Sequence, residues 1–121
     1  MDTGWYSEGG DWYFLGEDGI MQTGWVKAGN AWYYMDGNGI MTEGWRKIDG
    51  AWYYFKKSGA MASHEWIEDK EAEALLPAGQ QRALWYWFDW NGTMATGWKE
   101  IDGQWEMFSD SGVWQYTWDG K

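Results

Sequence analysis

The stretch TGWVKAGNAWYYMDGNGIM, residues 23–41, decides the fold, because most of it recurs as TGWYSEGGDWYFLGEDGIM at residues 3–21 and as EGWRKIDGAWYYFKKSGAM at residues 43–61. Trp5, Trp25 and Trp45 keep a step of 20, as do Trp12, Trp32 and Trp52, and Met21, Met41 and Met61. The register returns farther along, where Trp85 and Trp105, Gly92 and Gly112, and Trp98 and Trp118 are again 20 apart. A fixed period of this length belongs to arrays of small units, each unable to bury its own apolar face and obliged to stack on its neighbours.

Within each unit a pair suited to a two-residue hairpin turn stands after the first Trp: Gly9-Gly10, Gly29-Asn30, Asp49-Gly50 and Asp102-Gly103. With that turn fixed, Trp25 lies opposite Tyr34 and Lys27 opposite Trp32, so strand alternation gathers Trp25, Trp32 and Tyr34 on one side. The other face of the second hairpin carries Val26, Ala28, Ala31 and Tyr33, a mixed surface suited to packing inside a stack; Tyr13 and Tyr53 belong to the same set. A connector follows with Gly at a constant place (Gly19, Gly39, Gly59, Gly92, Gly112), marking a positive-φ turn. The fold class expected is all-β, a repeat solenoid of stacked β-hairpins with one irregular insertion. The whole chain, 1–121, reads as one module with repeats at about 4–23, 24–43, 44–65, 66–96 and 97–121.

The fourth repeat is the irregular one. Trp85 follows Trp66 by 19 positions where the corresponding pairs elsewhere are 7 apart, so 12 residues are inserted and residues 67–84 form the departure. Within them EDKEAEALL, ahead of Pro77, has the composition of a short helix. Glu65 stands where other repeats have Gly before Trp, and one extra residue makes the step from Trp45 to Trp66 equal to 21.

Composition narrows the function. The chain is 21% aromatic with 14 Trp, and it lacks the aliphatic content of an ordinary core. A net charge of -10 disfavours nucleic acid, whose phosphates reward clustered Lys and Arg, and favours cationic ligands. No apolar run approaches the length of a membrane span, and without Cys there is neither a disulfide framework nor a thiolate metal site. The opening MDTGW lacks the pattern of a signal peptide, and Met1 reads as a start added to an excised module. His64, the single His, sits in a connector with no nucleophile or acid pair around it, and no phosphate loop or metal spacing is present. No catalytic residue, metal or cofactor is therefore expected, and the chain reads as a non-enzyme. The paired Trp positions have two readings, as the core of a stack poor in aliphatics and as flat π surfaces for a sugar or a quaternary ammonium.

The pattern GWVKAGNAWYYMDGNGIMTEGW resembles the choline-binding, or cell-wall-binding, repeat of pneumococcal surface proteins, autolysins and phage endolysins. The resemblance covers nearly the whole chain, with three clean repeats, one interrupted and one degenerate. It implies a ligand, the choline or phosphocholine of teichoic acids, held between consecutive hairpins by two aromatics of one repeat, one of the next, and a Met. Carried over by position, one pocket would be Trp5, Trp12 and Met21 with Tyr34; a second Trp25, Trp32 and Met41 with Tyr54; a third Trp45, Trp52 and Met61 with Trp87. A fourth, Trp66, Trp85 and Met94, meets Met107 where Tyr is expected and is not a normal site. The resemblance further implies an extracellular, cell-wall-associated module, secreted or phage-encoded, that targets an attached lysin or surface protein, with no membrane insertion. A homodimer through the C-terminal hairpin, where Trp114, Tyr116 and Trp118 have no following repeat, is an expected addition. The alternative is a glucan- or glycan-binding module that stacks the same aromatics on sugar rings.

Overall fold

The structure is a computed structural model that describes residues 4–120. It divides into two compact units, one ending at Met61 and the other beginning at Ala62. The first unit contains three hairpins: β1 (Gly4–Glu8) with β2 (Asp11–Leu15), β3 (Gly24–Ala28) with β4 (Ala31–Met35), and β5 (Gly44–Ile48) with β6 (Ala51–Phe55). All are antiparallel in the same register, with Trp25 opposite Tyr34 and Lys27 opposite Trp32. The turn residues dictate that register: Gly9 and Gly10 have φ 62° and 90°, and Asp49 and Gly50 have 50° and 87°, the paired positive values of a type I′ turn.

Each hairpin is closed behind by its connector. The N–H of Asp36 donates to the carbonyl of Ile40 and that of Gly39 to the carbonyl of Asp36, while Asp36 Oδ1 accepts from Asn38 and Ile40. Leu15, Met35 and Phe55, at the ends of the second strands, bridge to Met21, Met41 and Met61. Met35 and Phe55 are wholly buried, and Val26, Ile48 and Met61 are nearly so, which makes the core of this unit a small set of apolar side chains in successive repeats.

The second unit repeats the plan with additions. β7 (Glu65–Glu68) pairs with β8 (Trp85–Phe88), and between them stands α1 (Lys70–Ala74). The helix begins where Asp69 Oδ1 accepts from the N–H of Ala72, the side-chain cap expected of Asp at that position. The insertion is fastened at its far end too, since Glu73 Oε2 accepts from the N–H of Leu84 and the Asp69 N–H donates to the Leu84 carbonyl. β9 (Gly97–Ile101), β10 (Gln104–Phe108) and β11 (Trp114–Thr117) form a three-stranded sheet with β10 central. Phe88 and Phe108 occupy the core places held by Met35 and Phe55 in the first unit.

The junction before β7 has a physical explanation. Elsewhere the residue before the first Trp is Gly with positive φ, at 85° for Gly4, 78° for Gly24, 80° for Gly44 and 67° for Gly97. Glu65 cannot take that conformation cheaply, and the added residue His64 takes it instead at 48°. The His64 ring then stacks on Trp90 at 3.9 Å with planes 4° apart. None of the helices among the described residues is long and apolar enough to cross a membrane.

Candidate ligand-binding site

In the first unit, the two Trp of each hairpin stand at right angles. Trp5 and Trp12 have ring centroids 6.4 Å apart at 87°, Trp25 and Trp32 6.2 Å at 87°, and Trp45 and Trp52 6.3 Å at 81°. Alternation along the strands puts both indoles on one face, and the cross-strand offset fixes their angle. Each pair makes a corner with two π walls. The corner is not core: Trp5 and Trp12 are 37% and 45% exposed, and Trp25 and Trp32 are 37% and 40% exposed.

A third wall comes from the next hairpin. Tyr33 meets Trp5 at 4.7 Å and Tyr53 meets Trp25 at 5.0 Å, both edge to face. Trp5, Trp12, Tyr33 and Met41 line an open cavity of about 300 Å³, together with Lys57 and Ser58 of the third connector. That size is at the lower end for small-molecule sites. Met41 is held there by its backbone, whose N–H donates to the carbonyl of Trp12 at 2.8 Å, and one period later Met61 N–H donates to Trp32 in the same way.

The grouping differs from the one expected from position in the repeat. Tyr34, expected with Trp5 and Trp12, packs on Trp25 of its own hairpin at 5.3 Å, with the Arg46 guanidinium 5.1 Å from its ring. Tyr54 likewise packs on Trp45 at 5.2 Å. The cause is which face of the following hairpin turns toward the Trp corner: it is the face of Tyr33 and Tyr53, assigned from alternation to stack packing. Met21, expected in the first pocket, lies instead against Gly39, and Met41 against Gly59. The connector that reaches Trp12 is therefore the second one, and Met41 replaces Met21 as the wall. Met61 is buried with Ile48 and Phe55, with Tyr34 and Tyr53 packed on that cluster. Trp87, expected as a pocket wall, is 5% exposed and belongs to the core of the second unit with Ala95, Ile101 and Phe108. Trp66 is covered there too, 5.4 Å from Trp87 and 5.6 Å from Phe108.

The second unit holds a cavity that position in the repeat did not suggest. Trp98, Trp105 and Trp118 alone line an open space of about 320 Å³, and each is nearly half exposed. Tyr116 meets Trp98 at 5.8 Å and 87°. Trp118, one period after Trp98, is grouped in sequence with Trp114 and Tyr116 as aromatics that no following repeat covers. Its backbone N–H donates to the Trp105 carbonyl at 2.8 Å, the bond that Met41 makes to Trp12, so it stands in the place of the Met. Trp114, grouped in sequence with the uncovered C-terminal aromatics, is half-buried and donates from Nε1 to Glu106 Oε1 at 2.9 Å.

The comparisons agree with this geometry. No curated protein sequence matches the chain. Among solved structures, CbpJ from Streptococcus pneumoniae TIGR4 is 39% identical, covering 99% of this chain and 38% of its own, with a TM-score of 0.81. The choline-binding domain of Spr1274 in Streptococcus pneumoniae is 35% identical, covering 78% of this chain and 95% of its own, with a TM-score of 0.60. The multimodular pneumococcal cell wall endolysin from phage Cp-1, solved with choline, is 32% identical over 77% of this chain and 24% of its own, at a TM-score of 0.62. The chain thus spans little more than a third of the length of CbpJ, at 38%, and nearly all of the Spr1274 domain, at 95%. The model of the choline-binding repeat matches residues 3–42 and 23–66, more than half of the sequence, and the chain belongs to the choline-binding repeat family.

Proposed function

We propose that this chain is a non-catalytic module that holds the choline of teichoic acid in its aromatic corners and so anchors an attached lysin or surface protein to the bacterial cell wall. The observation that carries the proposal is the cavity of Trp5, Trp12, Tyr33 and Met41, with two perpendicular indoles and an edge-on tyrosine around one open space. A trimethylammonium donates no strong hydrogen bond, and electron-rich ring faces are its best partners, each contributing roughly 0.5–2 kcal/mol. Three walls give a few kcal/mol, which after the cost of association leaves roughly millimolar affinity for one choline. Repetition raises that grip: several corners on one chain engaging a polymer of cholines gain about 10²–10⁴ in avidity. The cavity of Trp98, Trp105 and Trp118 is a second site of the same kind.

A corner is a poor platform for a sugar ring, which stacks best on one broad face, and this favours choline over the glycan reading. The test is a titration of intrinsic Trp fluorescence with choline chloride and, separately, with an α-glucan. Saturation by choline alone is expected. A saturable response to the glucan with none to choline would reverse the assignment.

A further inference from the structure

Trp90 stands where the other repeats place a polar residue or Gly. It follows Asp89 in the connector turn that the Gly92 N–H closes on the Asp89 carbonyl, and the matching places, two before Gly19, Gly39, Gly59 and Gly112, hold Glu17, Gly37, Lys57 and Asp110. Those four connectors close the same turn without an aromatic, so the fold does not require one. Trp90 is 73% exposed, more than any other Trp among the described residues. The ring is nonetheless held. His64 stacks flat on one side of it, 3.9 Å away with planes 4° apart, and itself meets the buried Trp87 edge to face at 5.1 Å. The backbone is fixed as well, since Ser63 Oγ donates to the Trp90 carbonyl at 2.9 Å and the His64 N–H donates to the Asp89 carbonyl at 3.2 Å. With one side covered by His64, the exposure belongs to the other, a flat face braced through His64 against the core. Its neighbours along the chain are polar: Asp89 pairs with Lys99 at 2.6 Å, and Asn91 Oδ1 accepts from both the N–H and the hydroxyl of Thr93, which leaves the Asn91 amide to donate.

Few ligands suit a single braced ring in polar surroundings. A stable protein interface needs about 800 Å² from each partner, several times what one indole offers. A quaternary ammonium gains little from one exposed face and is better held by several walls. A pyranose matches in size and polarity: its axial C–H groups form one apolar, positively polarised face that complements the negative face of an indole, and its hydroxyls lie on the rim, where the polar neighbours stand. Pyranoses joined by equatorial β-1,4 bonds make a flat ribbon that keeps this face available, whereas α-1,4 chains curl away from a plane. The net charge of -10 favours a neutral chain over an anionic one. We infer that the outer face of Trp90 is a carbohydrate subsite for a neutral β-1,4-linked glycan, separate from the aromatic corners, with His64 as the positioning residue that holds the indole. The inference goes beyond the choline reading and does not rest on it, because Trp90 lines neither cavity.

The test follows the indole N–H resonances of the full chain in ¹H–¹⁵N spectra, with Trp90 assigned as the signal missing from Trp90→Gly. The probes are cellotetraose and N-acetylchitotetraose, both β-1,4-linked, and maltotetraose, their α-1,4-linked counterpart. The β-linked probes are expected to move Trp90 with a Kd of about 1–10 mM, and maltotetraose to bind at least about fivefold more weakly. A response to one β-linked probe alone would assign the subsite to that sugar, glucose or acetylated amino sugar. Trp90→Gly introduces the residue that the second connector carries as Gly37, so it should fold, and in it no remaining indole should answer the tetrasaccharides. His64→Gly suits the positive φ of 48° while removing the stacked ring, and should weaken the β-linked probes about three- to tenfold. His64→Phe, which restores a flat ring, should recover most of that loss. Choline should leave Trp90 unmoved, and its shifts at Trp5 and Trp98 report on the corners independently. A Trp90 signal that no tetrasaccharide moves, an equal response to maltotetraose, or sugar shifts that survive Trp90→Gly would overturn the subsite and leave the choline reading intact.

Discussion

Trp5 of the first hairpin and Tyr33 of the second meet edge to face, with ring centroids 4.7 Å apart and planes at 73°. The contact recurs one period on between Trp25 and Tyr53, at 5.0 Å and 72°. It joins consecutive hairpins and adds a third wall to the corner in one step.

Tyr33 and Tyr34, adjacent in sequence, should therefore respond differently to truncation. Tyr33→Ala is expected to weaken choline at the first cavity about fivefold, the loss of a ring face contributing about 1 kcal/mol. Tyr34→Ala removes the partner of Trp25 and should cost about 2 kcal/mol of stability in urea unfolding, with affinity at the first cavity unchanged. Equal losses of affinity would return Tyr34 to the cage.

Gly39 is constrained twice. Its φ of 82° disfavours any side chain, and an added Cβ would collide with the sulfur of Met21. Gly39→Ala should cost about 2–4 kcal/mol, combining strain with overpacking. Gly24, at φ 78° with open space around it, carries the first penalty alone, and Gly24→Ala should cost about 1–2 kcal/mol by the same measurement.

Glu106 holds the last strand. It is 6% exposed, and its Oε1 accepts from Trp114 Nε1 at 2.9 Å and from Thr117 Oγ1 at 2.6 Å. Glu106→Ala leaves two donors without their acceptor and should cost about 2–3 kcal/mol. Because β11 leads directly into Trp118, choline should also lose its effect on Trp98 and Trp105. Glu106→Gln, which keeps a side-chain acceptor, should lose less of both.

The insertion should be firmer in mild acid than at neutral pH. A hydrogen bond to Glu73, then burial and the Glu73 charge, raise the Glu68 carboxyl above its ordinary value of 4.5, and Lys70 opposes them. A raised value in the folded chain means that protonation favours folding. The contribution is complete below 4.5 and disappears as pH climbs through the raised value. Glu68→Gln, a mimic of the protonated acid, should raise the thermal midpoint at pH 7, and its advantage should vanish below about pH 4. An advantage that persists in acid would contradict the shared proton.

The hairpins, their register and the short helix were legible because turn chemistry and strand alternation are local: Asp49-Gly50 fixes its own hairpin, and Asp69 caps its own helix. The positive φ expected at Gly19, Gly39, Gly59, Gly92 and Gly112 is present at all five. The Trp members of the first two corners were legible for the same reason. Their third walls were not, because alternation defines two faces of a hairpin without stating which one turns toward the preceding unit. The place of Trp118 beside Trp98 and Trp105 was not legible, because it is set by a backbone bond to Trp105 that the 20-residue spacing does not show. The core also has a signal in the sequence, with the buried Met35 and Phe55 and the half-buried Leu15 at the repeat period, but the abundance of Trp hides it.

The bond from Met41 back to Trp12 has a consequence for how such a chain is lengthened. Trp5 of the first hairpin, Tyr33 of the second and Lys57 of the connector after the third line the first cavity, so its lining is drawn from three successive periods. One further 20-residue period added in frame would bring one more hairpin with its own perpendicular Trp pair, in the register its neighbours already share. The number of such Trp pairs can thus be inherited as copy number, adjusted in whole increments without a single side chain being redesigned.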